Sequence, residues 1–119
     1  MPCLSVEPKV LAHFARVLDH ASTEGVLDAK SLGELHREFL ARDKSGNTWT
    51  VGLKTGAWNV VEAGRWVSRS TPPDRLELEL DLFLRLNALP DEHRICPCCL
   101  DHQLRKHRYC TRCRFDFGP

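Results

Sequence analysis

Apolar residues recur at helical spacing in the first third of the chain. Between residues 6 and 20 they return every three to four positions: Val10, Leu11, Phe14, Val17 and Leu18. This spacing is typical of an amphipathic helix that buries one stripe. We therefore predict a helix over residues 6–20. A second apolar face, made of leucines and a phenylalanine, predicts another helix over residues 28–42, and the two form a helical hairpin.

The next segment has a different pattern. Residues 43–69 are rich in Trp, Val, Thr and Gly and show no helical period. Such composition, interrupted by glycines, is typical of short strands joined by turns. We predict a three-stranded antiparallel meander with strands over residues 47–53, 57–62 and 65–69. Each predicted strand carries one tryptophan: Trp49, Trp58 and Trp66.

The pattern of residues 72–87 supports two interpretations. Every second residue from Leu76 to Leu86 is a leucine, which is the alternation of a strand. The segment has no β-branched residue, however, and Glu77, Asp81 and Arg85 would form one polar stripe on a helix. We favour a helix over residues 72–87, started by the Thr71–Pro72 pair, and keep the strand as the alternative.

These elements predict an α+β fold. We expect a body over residues 1–90, made of the helical hairpin, the meander and the third helix, followed by a separate module over residues 91–119. The third helix would be apolar on nearly all sides, so it needs two buried faces. We therefore expect the body to dock on a larger protein, or on itself.

Composition narrows the classes of protein. The chain has 119 residues, 42% of them hydrophobic and 28% charged, which suits one ordinary domain and excludes a large two-domain enzyme. No apolar run reaches about 18 residues, so we expect no membrane span, and the first residues show no signal-peptide pattern. Residues 1–93 carry 11 basic and 14 acidic side chains, whereas residues 94–119 carry 6 and 2. The basic tail permits a nucleic-acid partner but does not require one.

The cysteines point to a metal. Five of the six lie in the last 24 residues, and four of them form two C-x-x-C pairs separated by ten residues: Cys96, Cys99, Cys110 and Cys113. Two such pairs can supply the four thiolates that Zn²⁺ prefers, in a closed and therefore structural site. We predict one zinc ion. Clustered cysteines without a secretion signal favour a reducing, cytoplasmic location.

Residues 95–117 resemble a zinc ribbon, and Pro97 matches the common C-P-x-C form of its first turn. The family often has glycine after each second cysteine. Leu100 and Arg114 stand there in this chain, so distorted turns are expected. Cys98 is an additional thiol that either replaces Cys96 or Cys99 as a ligand or stays outside the site. The other candidate ligands are His102 and His107, although four cysteines already complete the shell.

The tryptophan-bearing segment is similar to small β-meanders of modular bacterial proteins. That resemblance implies no single activity. Large aromatic side chains are needed to bury one face of a small sheet, so core packing is the simpler interpretation. The alternative is a partly exposed tryptophan surface that docks a peptide or another subunit.

Three functional hypotheses follow, and none is enzymatic, because no phosphate-binding loop, H-E-x-x-H or nucleophile motif is present. The first is a non-catalytic adaptor or accessory subunit that docks through apolar residues: Trp49, Trp58, Trp66, Leu78, Leu82 and Leu86. The second is a nucleic-acid-binding factor of transcription, translation or defence. Its contacts would come from the basic and aromatic tail: Arg105, Lys106, Arg108, Tyr109, Arg112, Arg114 and Phe115. The third is a thiol-based sensor of zinc or oxidants centred on Cys98.

Overall fold

The structure is a computed structural model that describes residues 2–118. Within that range the chain forms three helices and eight strands. In chain order they are β1 (Cys3–Val6), α1 (Pro8–Thr23), α2 (Ala29–Glu38), β2 (Ala41–Arg42), β3 (Thr48–Val51), β4 (Trp58–Glu62), β5 (Arg65–Arg69), β6 (Leu76–Glu79), α3 (Leu80–Asn87), β7 (His93–Ile95) and β8 (His102–Leu104). The α+β fold class is confirmed.

Six strands form one antiparallel sheet in the order β1-β6-β2-β3-β4-β5. The predicted meander is confirmed, since β3, β4 and β5 are consecutive antiparallel neighbours. Trp49 lies opposite Val60, and Trp66 lies opposite Val61. The sheet is larger than expected because β1, β2 and β6 extend it. β6 pairs with β1 and with β2 across long stretches of chain, so local patterns did not indicate these pairings.

The core lies between one face of the sheet and α1. All five residues of the predicted α1 stripe are buried. Phe14 of α1 meets Phe83 of α3 edge to face, with the ring centroids 5.4 Å apart, a favoured arrangement of aromatic pairs. The other face of the meander has no buried residue, and we call it the open face. It is formed by alternate residues of β3, β4 and β5: Thr48, Thr50, Asn59, Val61, Trp66 and Ser68.

The predicted helix over residues 72–87 is wrong in its first half. Residues 76–79 are strand β6, with their leucines buried and their glutamates exposed, so the alternation there is that of a strand. β6 pairs with β1 on one side and β2 on the other. Two flanking strands and a buried face outweigh the weak strand propensity of leucine and glutamate. The Thr71–Pro72 pair starts no helix, because α3 begins only at Leu80.

The other helix boundaries differ less. α1 begins at Pro8, with the proline in the first turn, where its missing N–H costs nothing. α2 starts after Asp28, whose carboxylate accepts a hydrogen bond of 2.7 Å from the Ser31 N–H. α2 ends at Glu38, four residues before the predicted end. The chain then turns into the sheet as β2, where Ala41 pairs with Trp49.

The C-terminal module is attached to the body by apolar packing and by hydrogen bonds. β7 and β8 form an antiparallel hairpin, and Ile95 of β7 is fully buried in the same apolar cluster as the body's core. Asn87, the last residue of α3, forms two hydrogen bonds of 2.8 Å with Ile95, one to its N–H and one to its carbonyl. The side-chain amide therefore pairs with β7 much as a neighbouring strand would. A domain boundary near residue 90 stays a prediction.

Candidate metal centre

Four cysteine side chains converge at the end of the β7–β8 hairpin. The sulfur atoms of Cys96, Cys99, Cys110 and Cys113 all lie within 4.8 Å of one another. The Sγ atoms of Cys96 and Cys113 are 3.5 Å apart, and those of Cys99 and Cys110 are 3.6 Å apart. A tetrahedral shell with Zn–S bonds of about 2.3 Å places its sulfurs about 3.8 Å apart. The four cysteines could therefore bind one metal ion, and no disulfide forms among them.

Each C-x-x-C pair lies in a tight turn that we call a knuckle, the first over residues 96–100 and the second over residues 110–114. The Leu100 N–H donates to the Cys96 carbonyl at 2.7 Å, and the Arg114 N–H donates to the Cys110 carbonyl at 2.9 Å. In the second knuckle the N–H groups of Arg112 and Cys113 also point at the Cys110 sulfur, both at 3.4 Å. Backbone donors aimed at a sulfur favour its thiolate form.

The distortion expected at Leu100 and Arg114 is visible in their backbone conformation. Leu100 has φ of 60° and Arg114 has φ of 67°, so both adopt the left-handed conformation that glycine accepts without strain. Each still donates the hydrogen bond that closes its knuckle. Both knuckles are thus complete, at a conformational cost of about 1–2 kcal/mol for each side chain with a Cβ.

The thiols have different proton affinities before a metal binds. Burial raises the pKa of Cys110, but hydrogen bonds from the backbone of Cys113 and Arg112 outweigh burial and lower that pKa to about 6. Burial raises the pKa of Cys99 to about 12. A metal ion must displace the protons that remain on the thiols. Metal affinity should therefore fall as the solution is acidified.

A buried glutamine links the hairpin to the second knuckle. The side chain of Gln103 in β8 is almost fully buried. Its Oε1 accepts from the Thr111 N–H at 3.0 Å and from the Thr111 hydroxyl at 2.9 Å. The sequence indicated no role for Gln103, because only the folded hairpin brings it beside residue 111.

Two of the tail's arginines are engaged inside the protein. Arg105, predicted as a nucleic-acid contact, donates from Nε to the Asp91 carbonyl and from Nη2 to the carbonyls of Asn87 and Leu89. It thus satisfies carbonyls at the C-terminal end of α3, and we remove it from the candidate nucleic-acid contacts. Arg94 lies 3.8 Å above the ring centroid of Phe117 and donates to the His107 carbonyl.

The other tail residues lie at the surface. Lys106, Arg112 and Arg114 are exposed and have no ion-pair partner within residues 2–118. Arg108 is 3.3 Å from an Asp116 carboxylate oxygen and lies over the Tyr109 ring. Tyr109 and Phe115 are themselves exposed.

The predicted docking residues separate into two groups. Leu78, Leu82 and Leu86 are buried in the protein's own core, so the prediction that they dock a partner is wrong. α3 is short, and the sheet together with α1 already covers its apolar face. Trp49 is also buried, and its indole N–H donates to an Asp43 carboxylate at 2.9 Å.

The two remaining tryptophans are more accessible. Trp58 is half-buried against the core, whereas Trp66 on the open face is 51% exposed. Of the six predicted docking residues, Trp66 is the one that presents a large apolar surface to solvent.

The additional candidates lie outside the four-cysteine cluster. Cys98 is exposed, and a hydrogen bond shared with Cys113 raises its pKa. His102 packs against His13 of α1, with the ring centroids 4.8 Å apart. Neither His102 nor His107 joins the cysteines in the converging set.

Comparisons with family models, with curated proteins and with solved structures gave no match to this chain. Among the described residues, no helix is both long and apolar enough to cross a membrane. The chemistry of the cysteine cluster and the exposed surfaces is therefore the basis for a functional proposal.

Proposed function

We propose that this protein is a non-catalytic adaptor or accessory subunit that docks on a larger protein assembly through the open face around Trp66. One zinc ion, held by Cys96, Cys99, Cys110 and Cys113, would keep the C-terminal ribbon rigid. The single observation that carries the docking proposal is the half-exposed indole of Trp66.

Zinc is the metal that fits this donor set best. Four thiolates at near-tetrahedral spacing favour zinc or an iron–sulfur centre over hard cations. The four sulfurs lie within 4.8 Å of one another, which suits a single ion with Zn–S bonds of about 2.3 Å. With four sulfurs bound, the ion has no open position for water or substrate, so its role would be structural.

The surroundings of Trp66 have the form of a docking groove. Trp66, Leu40, Thr50 and Asn59 line a cavity of about 540 Å³ together with His36 and Arg37 at the end of α2. Leu40 is exposed as well. Buried tryptophans are enriched among the few residues that dominate binding at protein interfaces. A partner that covered this groove would bury the indole and Leu40 together.

Electrostatics favours a protein partner over nucleic acid. Residues 94–119 have a formal excess of four positive charges. A zinc ion bound by four thiolates contributes about −2, which reduces the ribbon's net charge to about +2. The positive charge of Arg108 is further offset by the carboxylate of Asp116. Non-specific nucleic-acid binding depends on many phosphate contacts, and this ribbon has few cations to make them.

Nucleic acid is the second candidate because of the ribbon's aromatic residues. Tyr109 is 50% exposed, and Phe115 is exposed too. Both lie among the exposed cations Lys106, Arg112 and Arg114. Exposed rings beside cations suit the stacking of unpaired bases and contact with their phosphates.

A matched pair of variants tests the two candidates. Trp66→Ala and Tyr109→Ala each remove a half-exposed aromatic ring, one from the open face and one from the ribbon. For an adaptor, the zinc-loaded wild type should pull a defined set of proteins from extract of its own cells. Trp66→Ala should lose that set, and Tyr109→Ala should keep it. Retention of the set by Trp66→Ala would contradict docking at the open face.

The same variants decide the nucleic-acid candidate in a salt titration with single-stranded oligonucleotides. About three phosphate contacts would give a slope of log affinity against log salt near −2. Tyr109→Ala should then weaken binding, and Trp66→Ala should not. No binding by the wild type at low salt would eliminate this candidate. Circular dichroism and zinc content of each variant provide the control for folding.

A further inference from the structure

A cavity at the junction of α1 with the C-terminal module collects most of the protein's histidines. Its volume is about 580 Å³. Four of the six histidines in the chain line it, two from α1 and one from each strand of the β7–β8 hairpin. The imidazole and carboxylate side chains of the lining are His13, His20, Asp91, Glu92, His93 and His102. Imidazole and carboxylate groups facing one cavity are the donors that first-row divalent cations prefer.

His13 is the most unusual of these side chains. It is 3% exposed, and its ring lines the cavity directly against the ring of His102. Burial, followed by the nearby His102, lowers the pKa of His13 to about 4. The ring is therefore neutral at pH 7 and keeps a nitrogen lone pair.

The pairing of His13 with His102 has the spacing of two ligands on one ion. Their ring centroids are 4.8 Å apart, and the ring planes are nearly perpendicular. Two imidazoles bound to one tetrahedral zinc at Zn–N distances of about 2.0–2.1 Å have ring centroids about 5 Å apart. Burial also lowers the pKa of His102, so both rings are uncharged and able to accept a metal.

Asp91 is placed to supply an anionic ligand. Its side chain is mostly buried, and one carboxylate oxygen lies 3.8 Å from Nδ1 of His20. The other oxygen accepts from the His93 N–H at 3.0 Å. The carboxylate therefore lies in the cavity of the His13–His102 pair, beside the imidazole of His20 and the backbone of His93. Glu92 adds a second negative charge to the lining, which offsets the positive charge of Arg16.

We infer that this cavity is a second metal site, which takes a divalent first-row cation such as Zn²⁺ or Co²⁺ on His13, His102 and Asp91. His20 or His93 completes the shell. Both are exposed, so their rings can rotate toward the ion. The side chains of His13, His102 and Asp91 must turn toward the ion as well, because outside the four cysteines the described residues bring no three ligand atoms together as the side chains stand. The second site is therefore weaker than the cysteine site and fills after it.

The test uses the full chain with its cysteine site first loaded with one equivalent of Zn²⁺. Co²⁺ is then titrated and followed by visible absorption and by calorimetry. We expect one further equivalent to bind, with weak visible bands typical of nitrogen and oxygen ligands. His102→Ala and Asp91→Asn should each weaken this second binding event by about tenfold or more.

Matched controls come from the two histidines outside the cavity. His36→Ala and His107→Ala should leave the second equivalent unchanged, and the zinc content of the cysteine site should be the same in all four variants. Absence of a second equivalent in the wild type would overturn the inference. So would an intense near-ultraviolet band from sulfur ligation, since it would place the ion on a thiol such as Cys98. Equal loss with the His36 or His107 variants would overturn it as well.

Discussion

Asn87→Ala tests the attachment of the C-terminal module to the body. The Asn87 amide makes two hydrogen bonds of 2.8 Å with the backbone of Ile95. Alanine removes both and leaves a buried N–H and a buried carbonyl without these partners. Each lost bond costs about 1 kcal/mol net, and an unsatisfied buried group costs about 1–3 kcal/mol.

Two effects reduce that total. Asn87 is only partly buried, so water can replace part of the lost pairing. Alanine is also the better helix former at the end of α3, by about half a kcal/mol. We therefore expect a net loss of about 2 kcal/mol in the free energy of unfolding, which sums these opposing contributions.

The assay is denaturant unfolding of the zinc-loaded protein at neutral pH, together with hydrogen exchange of the Ile95 amide. Asn59→Ala is the matched control, since Asn59 makes two exposed hydrogen bonds on the open face. The control should change stability by less than about 0.5 kcal/mol. If Asn87→Ala behaves like Asn59→Ala, and the Ile95 amide stays protected, the argument that this amide holds the ribbon in place is refuted.

Three further predictions concern the knuckles, His13 and Cys98. Arg114→Gly removes the strain at φ of 67° and should stabilise the zinc-loaded protein by about 0.5–1 kcal/mol in thermal unfolding, whereas Arg112→Gly, with no positive φ to relieve, should destabilise it. The lowered pKa of His13, about 4 against 6.5, means that the unfolded chain gains this proton first on acidification. The contribution of neutral His13 to the free energy of unfolding is therefore fully present above pH 6.5 and is lost toward pH 4. The wild type should lose about 2 kcal/mol more of this free energy than His13→Gln between about pH 7 and pH 5. A hydrogen bond shared with Cys113 raises the pKa of Cys98, which disfavours the reactive thiolate. Cys98→Ser should therefore leave peroxide-driven zinc release unchanged, and slower release in that variant would restore the sensor hypothesis.

The four-cysteine cluster was accessible from the sequence because its spacing pattern is local. Two C-x-x-C pairs determine two knuckles, and the ten residues between them suffice for a hairpin that brings the knuckles together. The roles of Gln103 and Arg105 were not accessible. Gln103 contacts Thr111, and Arg105 caps the end of α3, and both contacts depend on how the hairpin is oriented.

Local periodicity likewise predicted α1 and α2, and composition with glycine turns predicted the β3–β5 meander, because the residues of these elements contact their neighbours in the chain. It was insufficient for residues 76–79. The alternating leucines were a true strand signal, but weak intrinsic propensity opposed it, and the deciding factor was the presence of β1 and β2 on either side. Those two strands lie more than 30 residues away in sequence, and the local sequence pattern around residues 76–79 does not indicate them.

The sequence alone therefore determined the cysteine site, the α+β class and the helices and strands that are stable through contacts between near neighbours. Tertiary structure decided which apolar residues remain available. It buried Leu78, Leu82 and Leu86 in the core and left Trp66 at the surface. It also brought His13 and His102 into contact across 89 residues of chain. The physical reason is the same in each case: burial and long-range pairing are properties of the packed chain, and they set the environment of a side chain independently of its neighbours in sequence.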